Sequence, residues 1–525
     1  MKTQRYTGII PQPIAELLYK LNSRYYHAFL VGGCVRDMCL GLEPKDFDIE
    51  VFNVTSYEEL FDFLKSLGVP HAVGEAFGVT KLRYQGFDVD IALPRRDSKV
   101  QDVSVGRGRG FEVETDPFMS LEDACARRDF TINALMYDIR NNLIMDHFSG
   151  LDDIRYGILR ATSDKFEEDP LRVLRGFQFA ARLGFTVDPE TAKMCARLKN
   201  SELAKERVYE EWIKFFTKAK YPSKGIQFLI ETEWIDNYPE LKGMIDVPQD
   251  PIWHPEGGCM PHTLHACNAV VELFDFSDKP QDWVVAVNAA ILLHDVGKPD
   301  VTRQEWDADT QSLRWRSKGH SAAGLKLAES FLKRIGMKPS ITQVVQKLVL
   351  YHMDYISYKE DRLVSTMRGL AENLYPATIE QLYVIITGDS YGRPPLEGKL
   401  EEKFEVFFRY ARENGLWEGK PKLLVSGMDI LNRLPNAPKD KRLGDTIKFV
   451  QNLYLSGKIH TKEEGLKKAT SYLRHVLQVV NGNDLMDLGI SQGPQLKPLL
   501  ELAWEIQNSE GIQDKVTLLK LIGVV

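Results

Sequence analysis

Apolar and polar positions alternate in short runs over roughly the first 150 residues, then recur every three or four residues from about 165 onward. His27-Ala-Phe-Leu-Val31 is an apolar run that stops at Gly32-Gly33. Phe47-Asp-Ile-Glu-Val-Phe52 and Phe87-Asp-Val-Asp-Ile-Ala92 alternate with period two. These three stretches predict strands of a small mixed sheet with flanking helices. Beyond them the period predicts helices almost throughout, one of them opened by Asp169-Pro170, with Asp as N-cap and Pro in the first turn. Pro- and Gly-rich segments near 248–261, 392–398 and 432–440 predict loops or boundaries. Near the carboxyl end Gly427-Met-Asp-Ile430 and Gly482-Asn-Asp-Leu485 predict a weak internal repeat. Each is read as a turn followed by an amphipathic helix, around Leu443–Ile447 and Leu496–Leu500.

The chain has 525 residues, 43% hydrophobic and 27% charged, enough for three or four domains with ordinary cores. Its amino end has no long apolar run, so neither a secretory signal nor a membrane anchor is expected and a cytoplasmic location is. Cys34, Cys39, Cys125, Cys195, Cys259 and Cys267 form no CxxC pair, which argues against a disulfide framework or a structural zinc site. With a formal charge of −7, any nucleic-acid surface has to be a local basic stripe.

Three pieces of the first 180 residues carry chemistry. In Val31-Gly-Gly-Cys-Val-Arg-Asp37 two glycines let the backbone approach a ligand, a helix start favours an anion, and Arg36 can grip a phosphate. Gly-Gly also serves as an ordinary tight turn. Asp46-Phe-Asp48 opens a strand, so both carboxylates project from one face and suit a hard cation such as Mg²⁺. A solvated acidic turn is the plainer use of an isolated Asp-x-Asp. Asp90 offers a third carboxylate or an exposed strand residue. In Arg127-Arg-Asp129-Phe-Thr-Ile-Asn133 and Glu168-Asp-Pro-Leu-Arg172-Val-Leu-Arg175, helical spacing would put Asp169, Arg172 and Arg175 on one face. A carboxylate accepts from a base amino group and arginine donates to ring nitrogens or carbonyls, so such a face can read a base without a template.

The order of GGCVRD, DFD, RRDFTINAL, EDPLRVLRGFQFAARLGF and the later Glu206-Arg-Val-Tyr-Glu-Glu211 resembles the motifs of class II tRNA nucleotidyltransferases and bacterial poly(A) polymerases. The resemblance covers residues 27 to about 217. It implies an α+β chain with a polymerase-beta-like nucleotidyltransferase head, then all-α neck, HD and tail domains. Their bounds are read as 1–160, 161–225, 226–400 and 401–525. It also implies that Asp46 and Asp48 are catalytic and bind Mg²⁺, and Asp90 is read beside them as a further catalytic carboxylate. Gly32, Gly33, Arg36, Asp37, Arg128, Asp129 and Asn133 would surround the nucleotide, while Asp169, Arg172 and Arg175 select its base and Arg207 steadies the neck.

Poly(A) polymerases of this family carry Arg-Arg-Phe shortly after the metal motif; Val73-Gly-Glu-Ala-Phe-Gly-Val79 resembles the tRNA-specific members instead. The stretch between Arg95 and Arg127, loop-like and containing Gly106-Arg-Gly-Arg-Gly110, corresponds to a loop that members adding the final A need.

Further on, His262, His294-Asp295, His320, His352 and Asp389 follow the order of the HD phosphohydrolase superfamily. His262 is read as preceding an amphipathic helix. The resemblance implies that His262, His294, Asp295 and Asp389 hold a divalent metal of unknown identity, with His320 and His352 as candidates for a second; His254 and His265 stay unassigned. The expected reaction is transfer of CMP and AMP from CTP and ATP to the tRNA 3′ end, with tRNA as partner and no obligate protein partner or membrane. Alternatives are an A-adding enzyme, a poly(A) polymerase, and an HD phosphohydrolase with a secondary head.

Overall fold

The computed structural model describes residues 1–72, 79–99, 111–354, 363–396, 398, 402–435 and 437–525. The Val73–Val79 stretch, save Val79, and the Gly106–Gly110 stretch therefore lie outside the described residues. By their internal contacts the residues form two compact units, Met1–Thr342 with Gly388–Gly398, and Gln343–Thr387 with Lys399–Val525.

The first unit opens with a mixed eight-stranded sheet. Its strands are β1 (Lys2–Arg5), β2 (His27–Val31), β3 (Phe47–Phe52), β4 (Val69–Ala72), β5 (Val79–Tyr84), β6 (Phe87–Ala92), β9 (Leu135–Asp138) and β10 (Leu143–Asp146). A separate antiparallel ribbon, β7 (Arg95–Lys99) and β8 (Phe111–Thr115), corrects the loop-like reading of the stretch after Arg95. The sheet order is β1-β10-β9-β2-β3-β6-β5-β4, and β3 and β6 run parallel.

Parity along β3 decides where the chemistry faces. Phe47, Ile49 and Val51 enter a core with Leu17 and Leu21 of helix Gln12–Asn22. Phe52 joins Phe29, Val31 and Met136 in a second core on the other side. Asp48 and Glu50 share the parity of Phe52, because successive side chains point to opposite faces. Slipping the register by one residue would bury Asp48 and expose Ile49, each such apolar side chain contributing ~1.5–3 kcal/mol.

Helix Leu171–Leu183 packs against helices Lys205–Lys218 and Pro222–Glu231 through stacked Phe177 and Phe215, whose centroids lie 4.6 Å apart, and through Trp212. Gly176 permits this approach, since a Cβ there would lie 2.5 Å from the Phe228 ring and 2.8 Å from that of Phe130. Helices Cys259–Leu273 and Gln281–Leu293 follow. Two departures from the expected helical body are the short strand Thr186–Val187, paired parallel with Ile158–Leu159, and an antiparallel hairpin of Arg303–Asp307 and Ser312–Arg316.

The second unit is helical and carries the repeat at its end. Gly427-Met-Asp-Ile and Gly482-Asn-Asp-Leu open short helices, Gly427–Arg433 and Gly482–Asp487, where turns were expected. Ser426 and Asn481 close capping boxes on them. The Leu424 and Val479 N–H groups donate to Gln451 at 3.2 Å and Gln507 at 3.0 Å. Lys462 pairs with Asp429 as Lys515 does with Asp484, at 2.7 and 2.8 Å. Five matched positions in the same order, joined by these three contacts, make the two copies one structural unit repeated. No helix among the described residues is long and apolar enough to cross a membrane.

Candidate functional site

A cleft of about 820 Å³ opens where the sheet meets helix Leu171–Leu183. Gly32, Gly33, Arg36, Asp46, Asp48, Asp90, Arg128, Asp129, Asn133, Asp169, Arg172, Arg175 and Arg207 all line it. Of the head and neck residues expected from the sequence, Asp37 does not. It stands behind Arg36, whose Nε and Nη2 donate to it at 2.8 and 2.6 Å, and it meets Arg182 at 3.4 Å.

Parallel pairing brings the carboxylates together, since Asp48 and Asp90 are register partners on β3 and β6. Lys81 reaches Asp90 at 3.4 Å. The surrounding protein, with the charges of Asp90 and Asp46, pushes the Asp48 carboxyl above its usual value against the pull of Arg128. Three oxygen donors lining one cleft are a chemically fitting set for a divalent cation.

Gly32 explains its own identity. Its φ is +75°, and a Cβ would lie 2.9 Å from Arg128 Nη1 and 3.5 Å from Asp48 Oδ2. Glu50, which sequence reasoning passed over, fixes the arginines: its two oxygens accept from Arg127 and Arg128, each at 2.9 Å. Burial alone would raise the Glu50 carboxyl, but Arg128 and Arg127 outweigh it and hold the group below its usual range. The signal available was Asp46-x-Asp48-x-Glu50, three acids of one parity.

A chain of hydrogen bonds crosses the floor. Arg36 Nη1 donates to Asn133 at 2.8 Å, Asn133 Nδ2 to Asp129 at 2.9 Å, and Arg175 Nε to Asp129 at 2.7 Å. Burial would raise Asp129, yet Arg175 and Asn133 hold it below its usual value. Asp169 stands just before the helix in extended backbone, yet it lines the same cleft as Arg172 and Arg175, and the Arg172 N–H donates to its carbonyl at 3.0 Å. It accepts from Arg207 Nη2 at 2.7 Å and caps the Leu171 N–H at 3.1 Å. Arg172 donates to the carbonyls of Lys165 and Arg127 at 2.6 and 2.7 Å. Lys214 and Lys218 also line the cleft and were missed, their charges lying on a helix face that looked solvated.

The second cluster gathers His262, His294, Asp295, His320 and Asp389. His262 lies inside the first turn of helix Cys259–Leu273, a correction to its expected place before a helix. Its Nε2 is 3.0 Å from Asp389 Oδ1 and 3.3 Å from His294 Nε2. His294 and His320 Nε2 lie 3.4 and 3.3 Å from Asp295. Two ligands each about 2.1 Å from one ion at right angles stand about 3 Å apart, so the spacing suits a divalent cation. Burial opposes an imidazolium at His262, yet Asp389 and Glu256 outweigh it and push the group up to about 9; the cluster calls for positive charge. Lys298, also missed, supplies some of it, 2.6 Å from Asp295. His352 belongs to the second unit, where its Nδ1 bonds the Val349 carbonyl at 2.7 Å.

Residues 28–160 match a family described as the poly A polymerase head domain, 184–244 a probable RNA and SrmB-binding site of polymerase A, and 270–386 an HD domain. A multifunctional CCA protein of Nitrosospira multiformis is 32% identical over 394 residues, covering 72% of this chain and 88% of that one. The chain belongs to the multifunctional CCA protein family. A second member, from Psychromonas ingrahamii, is 33% identical, with 78% of this chain and 96% of that protein covered. Solved CCA-adding enzymes share the fold. One in complex with CTP gives a TM-score of 0.58 at 17% identity, covering 90% of this chain and all of that one. The Thermotoga maritima enzyme complexed with tRNA gives 0.56 at 17% identity, over 90% and 100% of the two chains. Both domain chemistries of the multifunctional CCA protein family, nucleotidyltransferase and HD, are those of divalent-metal enzymes.

Proposed function

We propose that this chain is a tRNA nucleotidyltransferase that completes the CCA end from CTP and ATP, without a nucleic-acid template, releasing pyrophosphate. The observation that carries the reading is the single cleft in which Asp46, Asp48 and Asp90 face Gly32, Arg36, Asp169 and Arg172, in a member of the multifunctional CCA protein family. In the division of labour that follows, residues 1–160 transfer, 161–225 choose the nucleotide, 226–400 carry the HD centre and 401–525 contact tRNA.

Asp46, Asp48 and Asp90 would hold Mg²⁺, which when bound makes the RNA 3′-hydroxyl a better nucleophile and offsets triphosphate charge. Open backbone at Gly32 and Gly33 admits the phosphates, and Arg128 is held toward them by Glu50. Asp169 accepts from the exocyclic amino group that cytosine and adenine both carry, and Arg172 and Arg175 donate to their ring atoms. The 3′-oxygen bonds to the α-phosphorus as the bond to pyrophosphate breaks, so the donors need only position and neutralise.

A second activity is favoured by the buried His262, His294 and Asp295 with the partly exposed Asp389, a set that suits metal-assisted phosphoester hydrolysis. The test is extension of tRNAs ending before CCA, after C and after CC, with CTP and ATP alone and together. Completion of all three supports the full enzyme. Extension of the CC-ending tRNA alone leaves an A-adding enzyme, a long A tail leaves a poly(A) polymerase, and no extension shifts the weight to the HD centre.

A further inference from the structure

Glu256 and His254 lie in the irregular segment before helix Cys259–Leu273 and have no part in the chemistry above. The Glu256 side chain has no solvent exposure. Its Oε1 accepts from His262 Nδ1 at 2.8 Å and from His254 Nδ1 at 2.9 Å. Its Oε2 has no hydrogen-bond partner among the described residues. A wholly buried carboxylate with one oxygen unsatisfied is costly, so its presence calls for a reason outside packing.

The reason lies on the far side of the His262 ring. His262 Nδ1 faces the Glu256 carboxylate and, at 3.2 Å, the Gly392 carbonyl. Both are acceptors, so Nδ1 carries a proton. Nε2, which meets Asp389 and His294, is left as the atom that gives its lone pair to a cation. His294 and His320 fix the same tautomer through backbone carbonyls, Ile291 at 2.7 Å and Ser317 at 2.9 Å. His262 differs in leaning on a full negative charge, which makes its Nε2 the more basic donor. The His254 ring stands edge-on to that of His262, centroids 4.7 Å apart at 80°, while its Nδ1 bonds the same Glu256 oxygen.

We infer that Glu256 is the positioning residue of the metal ligand His262, with His254 as its brace. This rests on reading the His262, His294, Asp295 and Asp389 cluster as a cation site. The test is calorimetric titration of the full-length chain with Mn²⁺ alone, in an Asp46→Ala/Asp48→Ala/Asp90→Ala background that removes the three cleft carboxylates proposed to bind a cation from the signal. Glu256→Gln keeps an acceptor and the shape but loses the charge. It is expected to weaken Mn²⁺ binding about 10- to 100-fold while the metal-free melting profile holds. His254→Ala is expected to weaken it less, and stands in if the Gln variant does not fold. Asp389→Ala, a ligand variant, is expected to abolish the binding. Unchanged Mn²⁺ affinity in Glu256→Gln and His254→Ala, with loss in Asp389→Ala, overturns the positioning role alone. Binding that does not depend on Asp389 overturns the cation reading beneath it.

Discussion

Glu50 is the most informative side chain to remove, because it holds two arginines that line the cleft with it. In Glu50→Ala, Arg127 and Arg128 lose the carboxylate that each meets at 2.9 Å. Breaking a buried ion pair costs ~3–5 kcal/mol. The arginine side chains retain 15% and 19% exposure, which lets water take up part of the demand and favours the lower end, about 3 kcal/mol. A global melting temperature is a poor gauge in a chain of two units. Tryptophan fluorescence is also blind here, since the first tryptophan in the sequence is Trp212. Amide hydrogen exchange of peptides spanning β2, β3 and β6 reports the region directly. A loss of 3 kcal/mol in opening energy speeds exchange there by about 100-fold, with little change in the tail repeat. Glu50→Gln keeps one acceptor and should fall between. The pH dependence follows from the same pairing. Because Glu50 is held below its ordinary value of 4.5, its contribution is complete above that value. It disappears as pH falls through the lower folded value, so wild type and variant converge in acid. Exchange in β3 that is unchanged by Glu50→Ala at neutral pH would refute the reasoning.

Three further outcomes are expected. Gly32→Ala forces φ +75° on an alanine and sets its Cβ 2.9 Å from Arg128; ~1–2 kcal/mol of backbone strain leaves the fold intact while nucleotide addition falls, read as kcat beside the melting profile. Asp169→Ala removes the acceptor proposed for the base amino group and frees Arg207, so discrimination against UTP drops by ~1–3 kcal/mol, read as misincorporation; unchanged fidelity would remove Asp169 from base choice. Chelating divalent ions stops incorporation and Mg²⁺ restores it; addition that persists in excess chelator contradicts the role given to the three carboxylates.

Strands β2, β3 and β6 were legible to the residue, because an apolar run ended by glycines and a period-two alternation are both local signals. Pairing was not. Nothing in the Phe87–Ala92 stretch says that it lies parallel to β3 with Asp90 beside Asp48, since that register comes from contacts between residues 42 apart in the chain. At Asp169 the spacing was a fair guide to placement: the residue stands just before the helix and its side chain still lines the cleft with Arg172 and Arg175. Glu50, Glu256 and Lys298 were invisible for a common reason: their work is done on other side chains, and an acid or lysine in sequence looks the same whether it faces water or a buried partner. The tail repeat was faint in letters and plain in structure, because its recurring elements are caps and two buried glutamines rather than a shared apolar pattern.

The central claim is that Asp46 and Asp48 direct template-independent addition to tRNA. Its most direct test is incorporation of labelled CTP and ATP into tRNA lacking its CCA end, read at single-nucleotide resolution, for the intact chain and for Asp46→Ala/Asp48→Ala. The account predicts two C additions and then one A in the intact chain, and none in the variant. Equal incorporation by both proteins, or no incorporation by either, would contradict it.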